Sequence, residues 1–236
     1  MRINIATLFP EMCDAVVNTS IIGRAKNAGK VDIRTYNIRD YSTNKHRHVD
    51  DTPYGGGHGM VMQAQPVYDC CKGIEQDCGR KNFIIFTTAA GKVFDQQMAK
   101  ELAKMENITI VCGHYEGMDE RVIEELADME ISIGDYVLSG GELPALVITD
   151  AVCRMLPGVL KSEEGFTQES HYDGLLEHAQ YTRPYEWMGR KVPEVLISGH
   201  EKNIKEYRKQ DSLKRTKEKR PDLYDKLFNT NKNVEN

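Results

Sequence analysis

Three segments of the chain place glycines at the end of a short apolar run, a pattern that suits a small-molecule pocket. They are Thr87-Thr88-Ala89-Ala90-Gly91, Gly113-His114-Tyr115-Glu116-Gly117 and Gly134-Asp135-Tyr136-Val137-Leu138-Ser139-Gly140-Gly141. Glycine lets backbone N–H and C=O groups approach a ligand with no Cβ in the way. One such loop is ordinary turn chemistry. Three in succession, at the carboxyl ends of consecutive strands, mark where open parallel sheets bind ligands. None reads GxGxxG or GxxxxGK[ST], which disfavours a Rossmann dinucleotide site and Walker-type phosphate transfer. The only Lys or Arg near these loops are Lys92 and Arg121. The pocket expected therefore hydrogen-bonds a planar base edge and a ribose: a nucleoside without a phosphate tail.

Upstream, Lys45-His46-Arg47-His48-Val49-Asp50-Asp51-Thr52-Pro53-Tyr54-Gly55-Gly56-Gly57-His58-Gly59-Met60 joins four basic side chains to two aspartates and a glycine run. A solvated turn accounts for such a charge run. The sharper reading is a loop that touches phosphate through Lys45 and Arg47 and lets a backbone pass close at Gly55–Gly59. His46, His48 and Asp50 are metal-ligand types, yet no closed set of four is evident, and no metal site is expected. The six cysteines show no metal-like spacing either, with no CxxC and no second pair beside Cys71 and Cys78. Reduced, partly buried thiols are the better reading. Charge is uneven: Lys202 to Lys226 holds ten basic and five acidic residues, a net +5, leaving −10 for the remainder. A helix carrying Lys205, Arg208, Lys209, Arg215 and Lys219 is the best candidate for salt-sensitive contact with a phosphate backbone. A solvated helix face is the alternative.

The elements that must position these groups alternate. Strand-like segments at 3–9, 31–38, 83–87, 108–112 and 130–133 are rich in Ile, Val or Phe. Phe94, Met98, Leu102 and Met105 recur at helical spacing, as do Met118, Val122, Ile123 and Leu126, and a third helix is expected from Glu142 with Pro144 in its first turn. Strand, helix, strand, helix predicts an α/β fold, a parallel sheet with helices on both faces, over residues 1–156. Residues 157–168 lack periodicity and read as a flexible linker. A small helical C-terminal domain follows over 169–236, with a long helix from His200 to about Lys219, a stop at Pro221, a short helix over 222–228 and a frayed tail. With 236 residues and 40% hydrophobic content the chain can build a real core. No apolar run approaches the ~18 residues of a membrane span, and no secretory leader is evident, so a cytoplasmic location is expected.

Four blocks together carry a family resemblance. They are Tyr54-Gly55-Gly56-Gly57 with Gly59-Met60; Tyr115-Glu116-Gly117 with Asp119-Glu120-Arg121; Ile131 through Pro144; and Gly174-Leu175-Leu176 with Tyr181-Thr182-Arg183-Pro184. In this order they resemble the bacterial tRNA (guanine-N1)-methyltransferase family of the SPOUT group. The resemblance implies a deep trefoil knot, an exception to the usual topology rules. It implies S-adenosylmethionine held by the three glycine loops through Thr88, Gly113, Tyr115, Glu116, Gly117, Ile133, Gly134, Asp135, Tyr136, Val137, Leu138, Gly140, Gly141 and Pro144. It implies a homodimer with active sites shared between chains, and as substrate the guanosine immediately 3′ of a tRNA anticodon. The anticodon stem-loop would meet Lys45, Arg47, Asp50, Gly59, Lys205, Arg208 and Arg215. Magnesium is implied without a dedicated protein site, and residues 157–168 as a lid over the partner's methyl donor.

Guanine N1 carries a hydrogen at neutral pH and has no free lone pair, so methylation there needs a general base and a cationic or N–H partner for O6. The resemblance puts the catalytic arginine at Arg154 and the catalytic acid at Glu169. The family usually has Asp at the latter position, and Asp173 is the nearest alternative base. Glu116 either contacts the ligands or caps the helix expected from Met118. His114 in place of Arg, and Ala89-Ala90 in place of a more polar pair, depart from the family pattern. Two other readings stay open: a ribose 2′-O-methyltransferase of the same superfamily, and a non-catalytic RNA-binding module.

Overall fold

The computed structural model describes residues 1–162 and 164–229. Its centre is a sheet of five strands, β1 (Arg2–Thr7), β2 (Asp32–Asn37), β5 (Phe83–Val93), β6 (Asn107–Cys112) and β7 (Met129–Ser132), in the order β2-β1-β6-β5-β7. Every pairing is parallel. Two-residue strands β3 (Asp50–Asp51) and β4 (Val61–Met62) pair separately and antiparallel.

Alternation along the strands gives each face its own core. Ile3, Ile5, Ile33, Ile85, Ile108, Ile110 and Ile131 share one face and pack against Cys13 and Val17 of α1 (Pro10–Val17), Ile22 of α2 (Ser20–Asn27), Met98 and Leu102 of α4 (Gln96–Leu102), and Ile148 and Val152 of α6 (Glu142–Arg154). Ala6, Ile84, Phe86 and Val111 face the other way, onto Val67, Cys70, Cys71 and Ile74 of α3 (Ala64–Cys78) and Val122, Ile123 and Leu126 of α5 (Glu120–Leu126). Near-continuous burial of β1 and β6 is what a parallel sheet covered on both sides requires.

Three expectations change here. The strand predicted to end at Thr87 runs on to Val93. Thr87 and Lys92 both pair with Ile131, so residues 88–91 bulge out of the ladder instead of ending it. The helices expected from Phe94 and Met118 start later because aspartates cap them: Asp95 accepts from the Met98 N–H at 2.9 Å, and Asp119 from that of Arg121 at 3.1 Å. Segment 157–168 holds one helical turn, α7 (Glu164–Thr167), and its Glu163 lies outside the described residues, as does the tail from 230 onward.

The chain divides into two compact units, Met1–Lys161 and from Ser162 onward. The second contains a hairpin of β8 (Glu186–Trp187) and β9 (Arg190–Lys191), then α8 (Glu201–Lys219) and α9 (Pro221–Asn229). Its irregular segment 175–179 needs partners for its backbone groups. One face of α8 supplies them. Thr216 Oγ1 accepts from the Leu176 N–H at 2.9 Å, Asp211 from that of Ala179 at 2.7 Å, and Arg215 Nε donates to the Glu177 carbonyl at 3.2 Å. No helix among the described residues is long and apolar enough to cross a membrane.

Candidate active site

In the first unit the bulge of β5 and the carboxyl ends of β6 and β7 open into a cleft of about 470 Å3. Its lining includes every residue expected around the methyl donor except Asp135, which is exposed between Gly134 and Tyr136. The three segments are tied by their backbones. The Gly141 N–H donates to the Gly113 carbonyl at 2.7 Å. Gly141 passes so near the strand ends that a Cβ there would lie 2.2 Å from Thr87 Oγ1 and 2.8 Å from Cys112 Cα. The 113–117 segment is stitched to the stretch before β4: the Glu116 N–H donates to the Met60 carbonyl at 3.0 Å, and the Met62 N–H to that of Gly117 at 2.9 Å. Tyr115 sits at φ +59° and accepts from Arg39 Nη2 at 3.3 Å.

The charge of this cleft is one-sided. Glu116, Glu120 and Glu130 line it, and none of its described lining residues is Lys or Arg. Lys92 lies outside the lining, and Arg121 is engaged by Asp119 at 2.6 Å, a pairing that holds the Asp119 carboxyl below its ordinary value. Glu130 accepts from Thr88 Oγ1 at 2.9 Å. Behind the cleft Glu142 is buried, accepting from Thr7 Oγ1 at 2.7 Å. Its other oxygen lies 3.9 Å from His114 Nδ1. Burial and the nearby Glu142 push the Cys13 thiol up to about 12.

Glu116 does not cap a helix. Its carboxylate lies over Gly59, where a Cβ would be 2.4 Å from Glu116 Oε1, and the following cap is Asp119. The basic loop before it is exposed at Lys45 and Arg47, with Arg47 paired to Asp40 at 2.8 Å. Asp50 is half-buried in β3. The His46 and His48 rings stand edge to face at 6.0 Å. Among the described residues no three His, Cys, Asp or Glu side chains converge as a metal site.

The second unit holds its own cavity of about 580 Å3, which brings together Glu169, Asp173, Arg208 and Lys209 with His178. Lys205 and Arg208 are exposed on α8, whereas Arg215 is half-buried on the Glu177 carbonyl. Arg154 is the half-buried last residue of α6, in the first unit.

Sequence reasoning passed over Arg39, Glu130 and Glu142. A glutamate alternating with Met129 and Ile131 in a short strand was the available signal for Glu130. Arg39 and Glu142 find their partners 76 and 135 residues away, where no local pattern reaches.

Known proteins match this chain over nearly its whole length. The family model described as tRNA (Guanine-1)-methyltransferase TrmD matches residues 1–226. A tRNA (guanine-N(1)-)-methyltransferase of Ruminiclostridium cellulolyticum is 56% identical over 231 residues, 98% of this chain and 99% of its own. Those of Clostridium perfringens strain SM101 and Clostridioides difficile strain 630 are 55% and 52% identical over 227 residues, 96% of this chain and 94% and 98% of theirs. This chain belongs to the tRNA (guanine-1)-methyltransferase family.

Proposed function

We propose that this protein moves a methyl group from S-adenosylmethionine to N1 of the guanosine immediately 3′ of a tRNA anticodon. The observation that carries the reading is a strand-end cleft, rich in glycine backbone and edged by three glutamates without Lys or Arg, in a chain of this family. S-adenosylmethionine fits such a cleft: its sulfonium is cationic, it has no phosphate to neutralise, and Ile133, Tyr136 and Leu138 offer apolar surface for adenine. Bound there, it supplies an electrophilic methyl group. Backbone groups of Gly113, Gly134, Gly140 and Gly141, with Tyr115 and Glu116, would hold it.

The chain's own chemistry lies on the acceptor side. Glu169 takes the N1 proton, and Arg154 steadies the charge that spreads to O6. The first unit holds the methyl donor, and the second, through Lys205 and Arg208, meets the anticodon stem-loop together with Lys45, Arg47, Asp50 and Gly59. Membership of this family supports a deep trefoil knot. Partly exposed Met12 and Val16 on α1 and Leu143 and Val147 on α6, two helices packed on each other, support a homodimer through this face.

The test is transfer of labelled methyl to an unmodified tRNA transcript, with the modified base located by mass spectrometry. Methyl is expected on N1 of that guanosine, and its replacement by adenosine is expected to abolish incorporation. Undiminished labelling of the substituted transcript overturns the assignment.

A further inference from the structure

The second unit has another cavity, of about 640 Å3, whose lining residues other than Arg208 the proposed function leaves without a role. Its lining includes two tyrosines, Tyr181 and Tyr185, two arginines, Arg183 and Arg208, and the apolar Leu196 and Ile197. Tyr181, Tyr185 and Ile197 are exposed large side chains, at 48%, 42% and 62%. The volume lies within the roughly 300–1,000 Å3 of small-molecule sites. Tyr181 neighbours Tyr207 of α8, whose phenol is kept above its ordinary value by burial first and then by Tyr181. Arg208 also lines the neighbouring cavity that contains Glu169 and Asp173. An aromatic slot and a cavity bearing acids thus share one cation.

We infer that this slot binds an unstacked nucleobase of the tRNA substrate, stacked against Tyr185 and Tyr181, with Arg208 on the adjoining phosphate. The inference rests on the function proposed above and adds a subsite to it. Sequence-specific RNA recognition targets loop bases splayed onto aromatic rings and guanidinium planes. Each such stack is worth about 1–3 kcal/mol, and every base has a face to offer. Charge argues for RNA over an acid-free apolar peptide: Arg183 and Arg208 are among the lining residues, and Lys205 and Lys209 flank Arg208 on α8. An apolar peptide would leave those guanidinium groups desolvated and unpaired.

The test compares full-length wild type with Tyr185→Ala and Tyr185→Phe in methyl transfer to an unmodified tRNA transcript. Binding of the same transcript, with 2-aminopurine placed in turn at each anticodon-loop position, is read by fluorescence. Tyr185→Ala is expected to raise the KM for tRNA about tenfold with affinity for S-adenosylmethionine unchanged, and Tyr185→Phe, which keeps the ring, to restore it. One 2-aminopurine position should be quenched by wild type and Tyr185→Phe but not by Tyr185→Ala. Wild-type turnover combined with an unchanged KM and no position-specific quenching overturns the subsite and leaves the proposed function standing. A KM unchanged for tRNA while Tyr185→Ala shifts the protein from dimer to monomer assigns the slot to a second copy and also overturns it. A wild type that never methylates the transcript overturns the function itself.

Discussion

Gly141 and Thr87 occupy the same space but for one atom: a Cβ on Gly141 would lie 2.2 Å from Thr87 Oγ1, and 2.7 Å from the Gly113 nitrogen. The strain is one of room and not of backbone angle, because Gly141 has φ −81°, which any residue adopts. Two of the neighbours, the Gly113 nitrogen and Cys112 Cα, are backbone and cannot retreat. Gly141→Ala is expected to lower unfolding free energy by about 1–3 kcal/mol, the usual cost of overpacking. It should also widen the contact between the 134–141 and 113–117 segments, so affinity for S-adenosylmethionine falls with it. Urea melts and titration calorimetry read the two effects, and a variant with wild-type values in both contradicts the account.

Thr7 Oγ1 accepts from the Phe9 N–H at 2.9 Å while donating to Glu142 at 2.7 Å. Thr7→Val keeps the shape and removes both roles. It leaves a buried carboxylate oxygen short of a donor, a loss of about 1.5–3 kcal/mol for a charged partner. Combining Thr7→Val with Glu142→Gln should cost less than the sum of the single changes, because the two side chains share the interaction. Strict additivity in urea denaturation would show that the hydrogen bond contributes nothing.

The sheet was readable because its information is local. Ile3, Ile5, Ile108 and Ile110 alternate with residues of the other face, and β-branched runs bounded by turn residues announce strands. Helix α3 was missed although Val67, Cys70, Cys71 and Ile74 lie at i, i+3, i+4 and i+7, all buried. Its cysteines read correctly as reduced, partly buried thiols, but their part in this helical stripe as small hydrophobes does not show in their spacing as cysteines alone. The bulge at 88–91 is not legible locally, because nothing in Ala89-Ala90-Gly91 says that pairing resumes at Lys92. The glycine segments of the cleft were legible from their own residues. The supports behind them, Arg39 on Tyr115 and Thr7 on Glu142, depend on contacts between distant parts of the chain. The α8 face that holds segment 175–179 looked merely polar for the same reason.

The proposed acceptor chemistry separates binding from turnover. Glu169→Ala should lose about 10²–10⁴-fold in the methyl-transfer step, the range for a positioned general base, while affinity for S-adenosylmethionine stays the same. Arg154→Ala should slow the same step. Asp173 lines the same cavity as Glu169. Single-turnover rates decide between them: an inactive Asp173→Ala beside an active Glu169→Ala reassigns the base.

Burial governs the thiols. Cys13, Cys71 and Cys153 are pushed up to about 12 by burial, and Cys70 and Cys112 are raised well above their ordinary value by the same cause. The thiolate is the reactive species, so iodoacetamide at pH 8 should modify half-buried Cys78 first and the other five only in denaturant. Because the folded state favours the neutral thiols, the stability they contribute is intact below about 9 and falls as pH rises toward 12. Mass spectrometry of labelled peptides and urea midpoints across that window check both statements. Rapid labelling of Cys112 in the native protein would contradict them.

Two basic residues of α8 should respond differently to the same substitution. Lys205 is exposed, and Arg215 is half-buried with its Nε on the Glu177 carbonyl at 3.2 Å. If Lys205 neutralises a tRNA phosphate, Lys205→Gln lowers the slope of log affinity against log salt by about one and leaves stability unchanged. Arg215→Gln instead strips a backbone acceptor of its partner and should destabilise the second unit by about 1–3 kcal/mol. Binding titrations from low to high salt, paired with urea melts, separate the two. Equal salt slopes for wild type and Lys205→Gln would remove Lys205 from the tRNA contact, and an unchanged melt for Arg215→Gln would mean that segment 175–179 does not depend on that hydrogen bond.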